Sequence, residues 1–333
     1  MRSPKVWAGI IASALFIGLL LRQVDLGEMR AHISEVRTGW PWLVAAMGIV
    51  MLALGVRGWR WRVILDRSAR ISTREALSLL IIGYAANNVL PMRTGELVRA
   101  QLLYQRAGVS RLATLGTIIV ERIFDVLVLA LFLTGTVVFA GGIDERVRVF
   151  SLLITTGAAG AAGVVALLTV WPRAAELCVA MLRVVPAGVR PRMQVLLGNF
   201  LVGLGSLHGG RVWLAVAGSS VLTWALEAAA FWLVGQAFAL PITPVLYLAV
   251  CAAATLAVAA PSTAGGVGPF EVSASALLVV FGVPASHAAA YALVLHVTLI
   301  VPVVVLGVVL LWRQHLRFGS MWRAAQVPTG VSE

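Results

Sequence analysis

Long apolar runs alternate with short polar segments along the whole chain. Six of these runs approach or exceed the roughly 20 apolar residues that an α-helix needs to cross the hydrocarbon core of a bilayer. The predicted spans are residues 6–21, 42–56, 112–140, 149–171, 212–238 and 285–312. The pattern therefore predicts an all-α polytopic membrane protein.

The first run follows basic residues, as the apolar part of a secretory signal peptide does. No small-residue cleavage site comes after it, because the chain continues with the polar sequence LRQVD at 21–25. Residues 6–21 are therefore predicted to remain in the protein as its first span.

Composition supports a membrane protein. The chain is 60% hydrophobic and 12% charged, whereas about a quarter of the residues in a soluble domain are charged. Its net charge of +12 resides mostly in the short segments between runs, which is typical of a surface facing anionic lipid rather than nucleic acid. The two cysteines are isolated, so we expect neither a disulfide nor a metal site, and we expect no cofactor.

The distribution of basic residues predicts the orientation of the chain. The N-terminus, the segment after the second span, residues 172–211 and the C-terminus are rich in arginine and are assigned to the cytoplasm; this count includes Arg57 and Arg60. Five arginines on the other side are balanced by five acidic residues there: Asp25, Glu28, Glu35, Asp144 and Glu145. Both termini are therefore predicted to be cytoplasmic, in the cytoplasmic (inner) membrane.

Two further apolar stretches, 76–106 and 244–283, are broken by polar tips at 90–95 and 260–268. In the predicted topology each stretch starts and ends on the same side, so each is predicted to be a re-entrant pair of half-helices, the two entering from opposite faces. With their flanking spans they predict an inverted repeat, about 42–140 and 212–312, within a single transmembrane domain. Residues 172–210 between the repeats are predicted to form interfacial helices on the cytoplasmic leaflet.

The first tip carries a charge that is costly in lipid. Irregular backbone and a guanidinium must be buried in protein or face water at this depth, so Arg93 is predicted to face a polar cavity. There it would clamp a phosphate or carboxylate, helped by the half-helix N-termini; the alternative is an ion pair with Glu96 or Glu271 that only locks the hairpin. Arg99 is a second candidate for the clamp, unless it reaches the interface.

The acids and amides at the tips each have two interpretations. Glu96 and Glu271 fall in first turns of predicted half-helices, where a carboxylate caps the helix, or they carry a proton during transport. Asn87 and Asn88 satisfy backbone groups freed at the break, or they contact a ligand.

Polar residues inside the spans complete the set of candidates. Glu121 and Asp125 are four residues apart and share one helix face, which is predicted to point inward unless both lie at the interface. Glu227 and His296 are solitary and are interpreted as packing residues. No zinc, phosphate-loop or serine-hydrolase motif occurs in the sequence, so the chain is not expected to be an enzyme.

Four motifs together resemble a known family. They are RGWRWR at 57–62, ANNVLPMRTGEL at 86–97, VERIFDVLVLA at 120–130 and PSTAGGVGPFE at 261–271. The chain is similar over residues 5–312 to the lysylphosphatidylglycerol synthase transmembrane region, a flippase-like family of membrane proteins. No soluble aminoacyl-transferase domain is expected here, so the resemblance does not imply lysyl transfer.

The resemblance implies movement of a polar lipid headgroup between leaflets. Carried onto this sequence, it points to residues of both tips and of the VERIFD motif as the ones that contact substrate: Asn87, Asn88, Arg93, Glu96, Glu121, Arg122, Pro261, Gly265, Gly266, Gly268 and Glu271. The hypothesis is that Arg93 and Arg122 hold the phosphate of a phospholipid or polyprenyl-linked lipid.

Two other function classes stay open at this point. One is a secondary transporter of a soluble anion, and the other is a membrane scaffold for a lipid-modifying enzyme. The expected partners are membrane lipids with anionic headgroups and, in the second case, that enzyme; homo-oligomerisation is left open.

Overall fold

The computed structural model describes residues 4–314, apart from residues 23, 67, 91–93, 141–144, 185, 187, 205–208 and 259–263. The described residues are helical and contain no β-strand. In chain order the α-helices are α1 (Pro4–Leu21), α2 (Leu26–Glu35), α3 (Trp40–Leu65), α4 (Thr73–Val89), α5 (Gly95–Ala107), α6 (Arg111–Ala140), α7 (Glu145–Val170), α8 (Pro172–Met181), α9 (Arg190–Leu204), α10 (Gly210–Ala237), α11 (Leu246–Ala257), α12 (Pro269–Val280) and α13 (Ala285–Arg313).

Five of the described helices are long and apolar enough to cross a membrane. The qualifying segments are Trp40–Leu65, Arg111–Phe139, Ser151–Thr169, Gly210–Ala237 and Ala285–Arg313. The predicted multi-pass membrane protein is thereby confirmed. The predicted first span forms α1, which is not one of these five.

The second span is longer than its apolar run predicts. The run ends at residue 56, so Arg57 and Arg60 were predicted to be cytoplasmic loop charges, whereas α3 continues to Leu65. That prediction was wrong, because both arginines lie within the helix and are buried, at 8% and 1% exposure. The helix can carry these charges inward because each guanidinium has a carboxylate partner on a neighbouring helix.

Each broken apolar stretch forms two short helices that pack against each other. The first comprises α4, whose N-terminus is closed by a capping box of Ser72 and Glu75, and α5, which ends at Gly108 with a φ of 67°. The second comprises α11 and α12, joined in part by the 3-10 turn Ala264–Gly266. Gly268 is the N-cap of α12, and proline occupies the first turn of this helix.

The two halves of the chain pack around a shared core. The most extensive helix contact joins α3 to α10, while α4 packs on α13 and α11 packs on α6. One core cluster of buried apolar residues includes side chains from all of these helices and extends through both halves. Between the halves, α8 and α9 form within 172–210, and α9 packs against α6. The polar residues of the next section lie where the two halves meet.

Candidate functional site

An ion pair that is shielded from solvent, called a sealed pair below, joins three helices where the two halves of the chain meet. Arg60 of α3 donates two hydrogen bonds to the carboxylate of Asp125 on α6, at 2.7 and 3.2 Å, and a third to Ser220 of α10 at 2.6 Å. The indole of Trp224 donates to the same carboxylate at 3.0 Å. The two charged side chains are 1% and 4% exposed, so this pair is part of the protein interior.

A second sealed pair lies beside the first. Arg99 of α5 donates to Glu121 of α6 at 2.8 Å, and its guanidinium carbon lies 3.5 Å from the ring centre of Trp61. The opposite oxygen of Glu121 is 3.8 Å from the Nε of Arg60. Both Arg99 and Glu121 are 3% exposed. The ion pair and the aromatic face hold this guanidinium in the protein interior, and its Nε has no hydrogen-bond partner among the described residues.

Next to the sealed pairs is a polar cavity of about 210 Å³. Its walls come from α3, α4, α6, α10, α11, α12, α13 and the turn before α12. The charged residues among the described lining are Arg57, Arg122 and Glu227. Glu96 contacts Arg122 from outside the lining and balances its charge, but the guanidinium N–H groups at the cavity are still suited to bind an anionic group.

The two cavity arginines converge on one aromatic ring. The guanidinium carbons of Arg57 and Arg122 lie 5.7 and 6.0 Å from the ring centre of Tyr84. Arg57 also lies 4.7 Å from the ring of Trp224, and its Nη2 is 3.2 Å from the carboxylate of Glu227. Arg57 and Arg122 therefore lie next to the same aromatic side chain and line the same cavity.

The first tip is closed by its asparagines. The Asn87 side chain accepts a hydrogen bond from the backbone N–H of Gly95 at 2.7 Å and donates one to Glu96 at 3.0 Å. Asn88 donates to the carbonyl of Tyr84 at 3.0 Å. The amides thus satisfy backbone and carboxylate groups at the break in the helix, and both also line the cavity.

The second tip is a glycine turn held by a histidine. Gly265, Gly266 and Gly268 have φ angles of 76°, 78° and 101°, in the left-handed region that favours glycine. Glu271 accepts a hydrogen bond from the backbone N–H of Gly268 at 2.7 Å and contacts the Nδ1 of His296. The other ring nitrogen of His296 lies 3.1 Å from the carbonyl oxygen of Gly265.

The described parts of the two tips lie against each other. A Cβ built on Gly265 would lie 3.5 Å from the side-chain oxygen of Asn88, and α4 packs on the turn Ala264–Gly266. On the other side of this turn, Ser13 of α1 donates a hydrogen bond to the carbonyl of Val267 at 2.8 Å. The cavity is therefore bounded by both breaks at once.

The comparison with known families agrees with this arrangement. The profile of the family described as "Lysylphosphatidylglycerol synthase TM region" matches residues 6–307. The chain belongs to this family. The match covers the helices that build the cavity and both tips, as the four motifs predicted.

A curated relative of this family member is Glycosyltransferase AglD of Haloferax volcanii. It is 26% identical over 323 residues, a match that covers 87% of this chain and 51% of the relative. The chain thus spans about half the length of the curated relative that it matches. No solved structure matches the chain significantly.

Some of the residues that the family resemblance implies line the cavity, whereas others lie outside its lining. Asn87, Asn88, Arg122 and Gly265 line the cavity. Glu96 is not among the lining residues but contacts one of them, because it accepts a hydrogen bond from Arg122 at 3.4 Å. The substrate-binding role of these residues stays a prediction, which the proposals below develop.

The remaining predicted site residues either make contacts that hold the fold together or lie outside the residues that the structure describes. Arg99, Glu121 and Asp125 form the sealed pairs, whereas Gly266, Gly268 and Glu271 shape the second turn. Arg93, predicted as a phosphate clamp, and Pro261, predicted to contact substrate, lie outside the described residues.

Several residues that line the cavity are absent from the set that the sequence predicted, among them Arg57, Tyr84, Glu227 and His296. Arg57 was hidden by its assignment to a loop, although it belongs to the RGWRWR motif. Glu227 and His296 were interpreted as packing residues. Their isolation within apolar runs was itself a usable signal, because an ionisable residue inside a membrane segment usually serves a polar pathway.

Proposed function

We propose that this protein moves a phospholipid or a polyprenyl-linked lipid across the cytoplasmic membrane. The lipid phosphate binds in the cavity between Arg57 and Arg122, and the acyl or prenyl chains remain in the bilayer. The observation that carries the proposal is the presence of two guanidinium groups, both next to Tyr84, in one cavity bounded by both helix breaks. Membership of the family supports a role in handling lipids.

The size of the cavity supports a headgroup as the bound part. Pockets that enclose a drug-sized ligand measure about 300–1,000 Å³, whereas this cavity measures about 210 Å³. A phosphate with a small substituent fits this space, but a whole lipid does not. The chains must therefore stay outside the cavity while the headgroup crosses.

The helix contacts support an inverted repeat around that cavity. In the proposed pairing, α3, α4–α5 and α6 correspond to α10, α11–α12 and α13. Equivalent contacts then occur in both halves: α4 packs on α13 as α11 packs on α6, and α5 packs on α6 as α12 packs on α13. With each short pair as a re-entrant hairpin, one repeat can rock against the other and expose the cavity to either side in turn.

The relative extends the range of substrates that we consider. Because AglD is named a glycosyltransferase, a lipid that carries a glycan is included among the proposed substrates. Transferase activity is not proposed for this chain, which matches about half of that protein. A lipid-modifying enzyme that makes or uses the lipid is the partner we propose.

A translocation assay tests the proposal. Purified protein is reconstituted in liposomes with fluorescent phospholipids, and a membrane-impermeant quencher reports which headgroups have moved. We expect Arg122→Ala to slow translocation at least about tenfold, because the phosphate loses one of its two cationic partners, an effect on the order of 1.4 kcal/mol on the barrier. Arg62→Ala is the matched control, since Arg62 pairs with Asp66 and is 41% exposed.

The same assay distinguishes the other function classes. Transport of a soluble phosphate without movement of any lipid headgroup would contradict the proposal and favour the anion transporter. Equal rates in protein-containing and empty liposomes, over anionic, zwitterionic and polyprenyl-linked lipids, would favour the scaffold.

A further inference from the structure

The four arginines of the junction, Arg57, Arg60, Arg99 and Arg122, fall into two classes according to their closest carboxylate contact. The sealed pairs have hydrogen bonds of 2.7 Å for Arg60 and 2.8 Å for Arg99, with side chains no more than 5% exposed. The pairs whose arginine lines the cavity are longer, 3.2 Å for Arg57 and 3.4 Å for Arg122. Only the first class therefore has the short hydrogen bonds of a structural ion pair.

The Arg57 guanidinium is buried yet incompletely bonded. Its side chain is 10% exposed, and both its Nε and its Nη2 have no hydrogen-bond partner among the described residues, whereas Arg60 and Arg99 lack a partner at Nε alone. The 3.2 Å contact to Glu227 is an ion pair without hydrogen-bond geometry. Because Arg carries five N–H donors, leaving some of them unused in a buried site is costly. An oxyanion in the cavity would satisfy them.

Glu227 occupies the place that such an anion would take. The Glu227 side chain is 12% exposed and carries the negative charge among the described residues that line the cavity. One of its carboxylate oxygens lies 3.2 Å from the Nη2 of Arg57. A phosphate that binds Arg57 in a bidentate fork must compete with this carboxylate. Glu227 is therefore a built-in counter-ion, and its charge weakens anion binding at the arginine it accompanies.

We infer that a phosphate group binds Arg57 by displacing the carboxylate of Glu227. This inference deepens the proposed function and rests on it for the lipid origin of the phosphate. A transport site must bind its substrate firmly enough to take it up and weakly enough to release it. A resident carboxylate meets both needs, since it neutralises the buried arginine between cycles and drives the phosphate off at the end of each one.

The inference predicts that removal of a charged side chain from the site strengthens the binding of an anion. In Glu227→Gln the competitor is lost while the side chain keeps its shape, so we expect the dissociation constant for an anionic lipid to fall about tenfold. A residue that only supports the fold would have the opposite effect, because its loss would loosen the site. Arg57→Gln is expected to weaken binding at least about tenfold.

Binding is measured with purified protein in a maltoside detergent, which contains no phosphate, by titration with dioctanoyl phosphatidic acid. Asp66→Asn is the matched control, because it removes one negative charge from an exposed pair and is expected to leave the dissociation constant unchanged. Thermal unfolding of each variant confirms that it is folded. If Glu227→Gln does not fold, Glu227→Asp replaces it; the shorter side chain withdraws the carboxylate, and a smaller fall is expected.

Inorganic phosphate and glycerol 3-phosphate are titrated in parallel to separate the two sources of the phosphate. If Glu227→Gln tightens their binding but the lipid never binds, the displacement stands and the proposed lipid transport fails. An unchanged or raised dissociation constant in a folded Glu227→Gln protein would overturn the displacement, even where lipid transport is observed. Absence of binding by every probe to every folded variant would overturn it as well.

Discussion

Asp125→Ala is expected to be among the most destabilising substitutions in this protein. The Asp125 carboxylate accepts two hydrogen bonds from Arg60 and one from Trp224. Its loss leaves a guanidinium buried at 1% exposure, with the distant carboxylate of Glu121 at 3.8 Å as its remaining charge partner among the described residues. Breaking a buried ion pair by removal of one partner costs about 3–5 kcal/mol. We expect a large fall in the thermal unfolding midpoint and in the yield of monodisperse protein in detergent.

Two further variants show whether charge is the cause. Asp66→Ala breaks an exposed pair with Arg62, and such pairs contribute no more than about 1 kcal/mol, so its unfolding midpoint should stay close to that of the native protein. The double variant Arg60→Met/Asp125→Leu removes both charges and should recover much of the stability that Asp125→Ala loses. A native midpoint for Asp125→Ala alone would show that Arg60 is satisfied without it.

The order of helices was predictable from the sequence because lipid permits few solutions. A long apolar run must be a helix, and proline and glycine between two short runs must break one. The division of residues 76–106 and of residues 244–283 into two short helices each followed from this. The end of α3 was not predicted, because positive charges near the end of a span usually mark the interface.

The helical periodicity of α3 indicates that Arg57 faces the protein interior, although the distribution of basic residues had assigned it to a loop. Val50, Leu54, Arg57 and Trp61 recur at helical spacing and all face the interior. The spacing does not reveal the ion-pair partner of Arg57. Glu227 lies in the other half of the chain and meets Arg57 only after α3 packs on α10. Local motifs therefore located both tips, while the composition of the cavity depended on contacts between distant helices.

Gly95→Ala is expected to open the first hairpin. Here α5 begins directly against α4, and a Cβ at Gly95 would overlap the backbone oxygen of Gly83 and approach the side-chain oxygen of Asn87 to 2.7 Å. A backbone obstacle cannot rotate away as a side chain can, so the two helices must move apart. Overpacking of this kind costs about 1–3 kcal/mol, and the hydrogen bond from Gly95 to Asn87 is lost with it.

The effect should reach the cavity as well as the fold. Glu96 follows Gly95 and accepts hydrogen bonds from Asn87 and Arg122, so a displaced α5 withdraws the carboxylate that orients a cavity guanidinium. We expect a lower unfolding midpoint together with slower headgroup translocation in liposomes.

Gly48→Ala is the control for the Gly95 substitution. Gly48 lies inside α3, and a methyl group added there would have no neighbouring atom within 4 Å, while alanine favours the helix by about 0.5–1 kcal/mol. This variant should keep full transport and be at least as stable as the native protein. Equal behaviour of the two alanine variants would mean that the close approach of α4 and α5 is not needed, and that Asn87 and Glu96 alone hold the tip that borders the cavity.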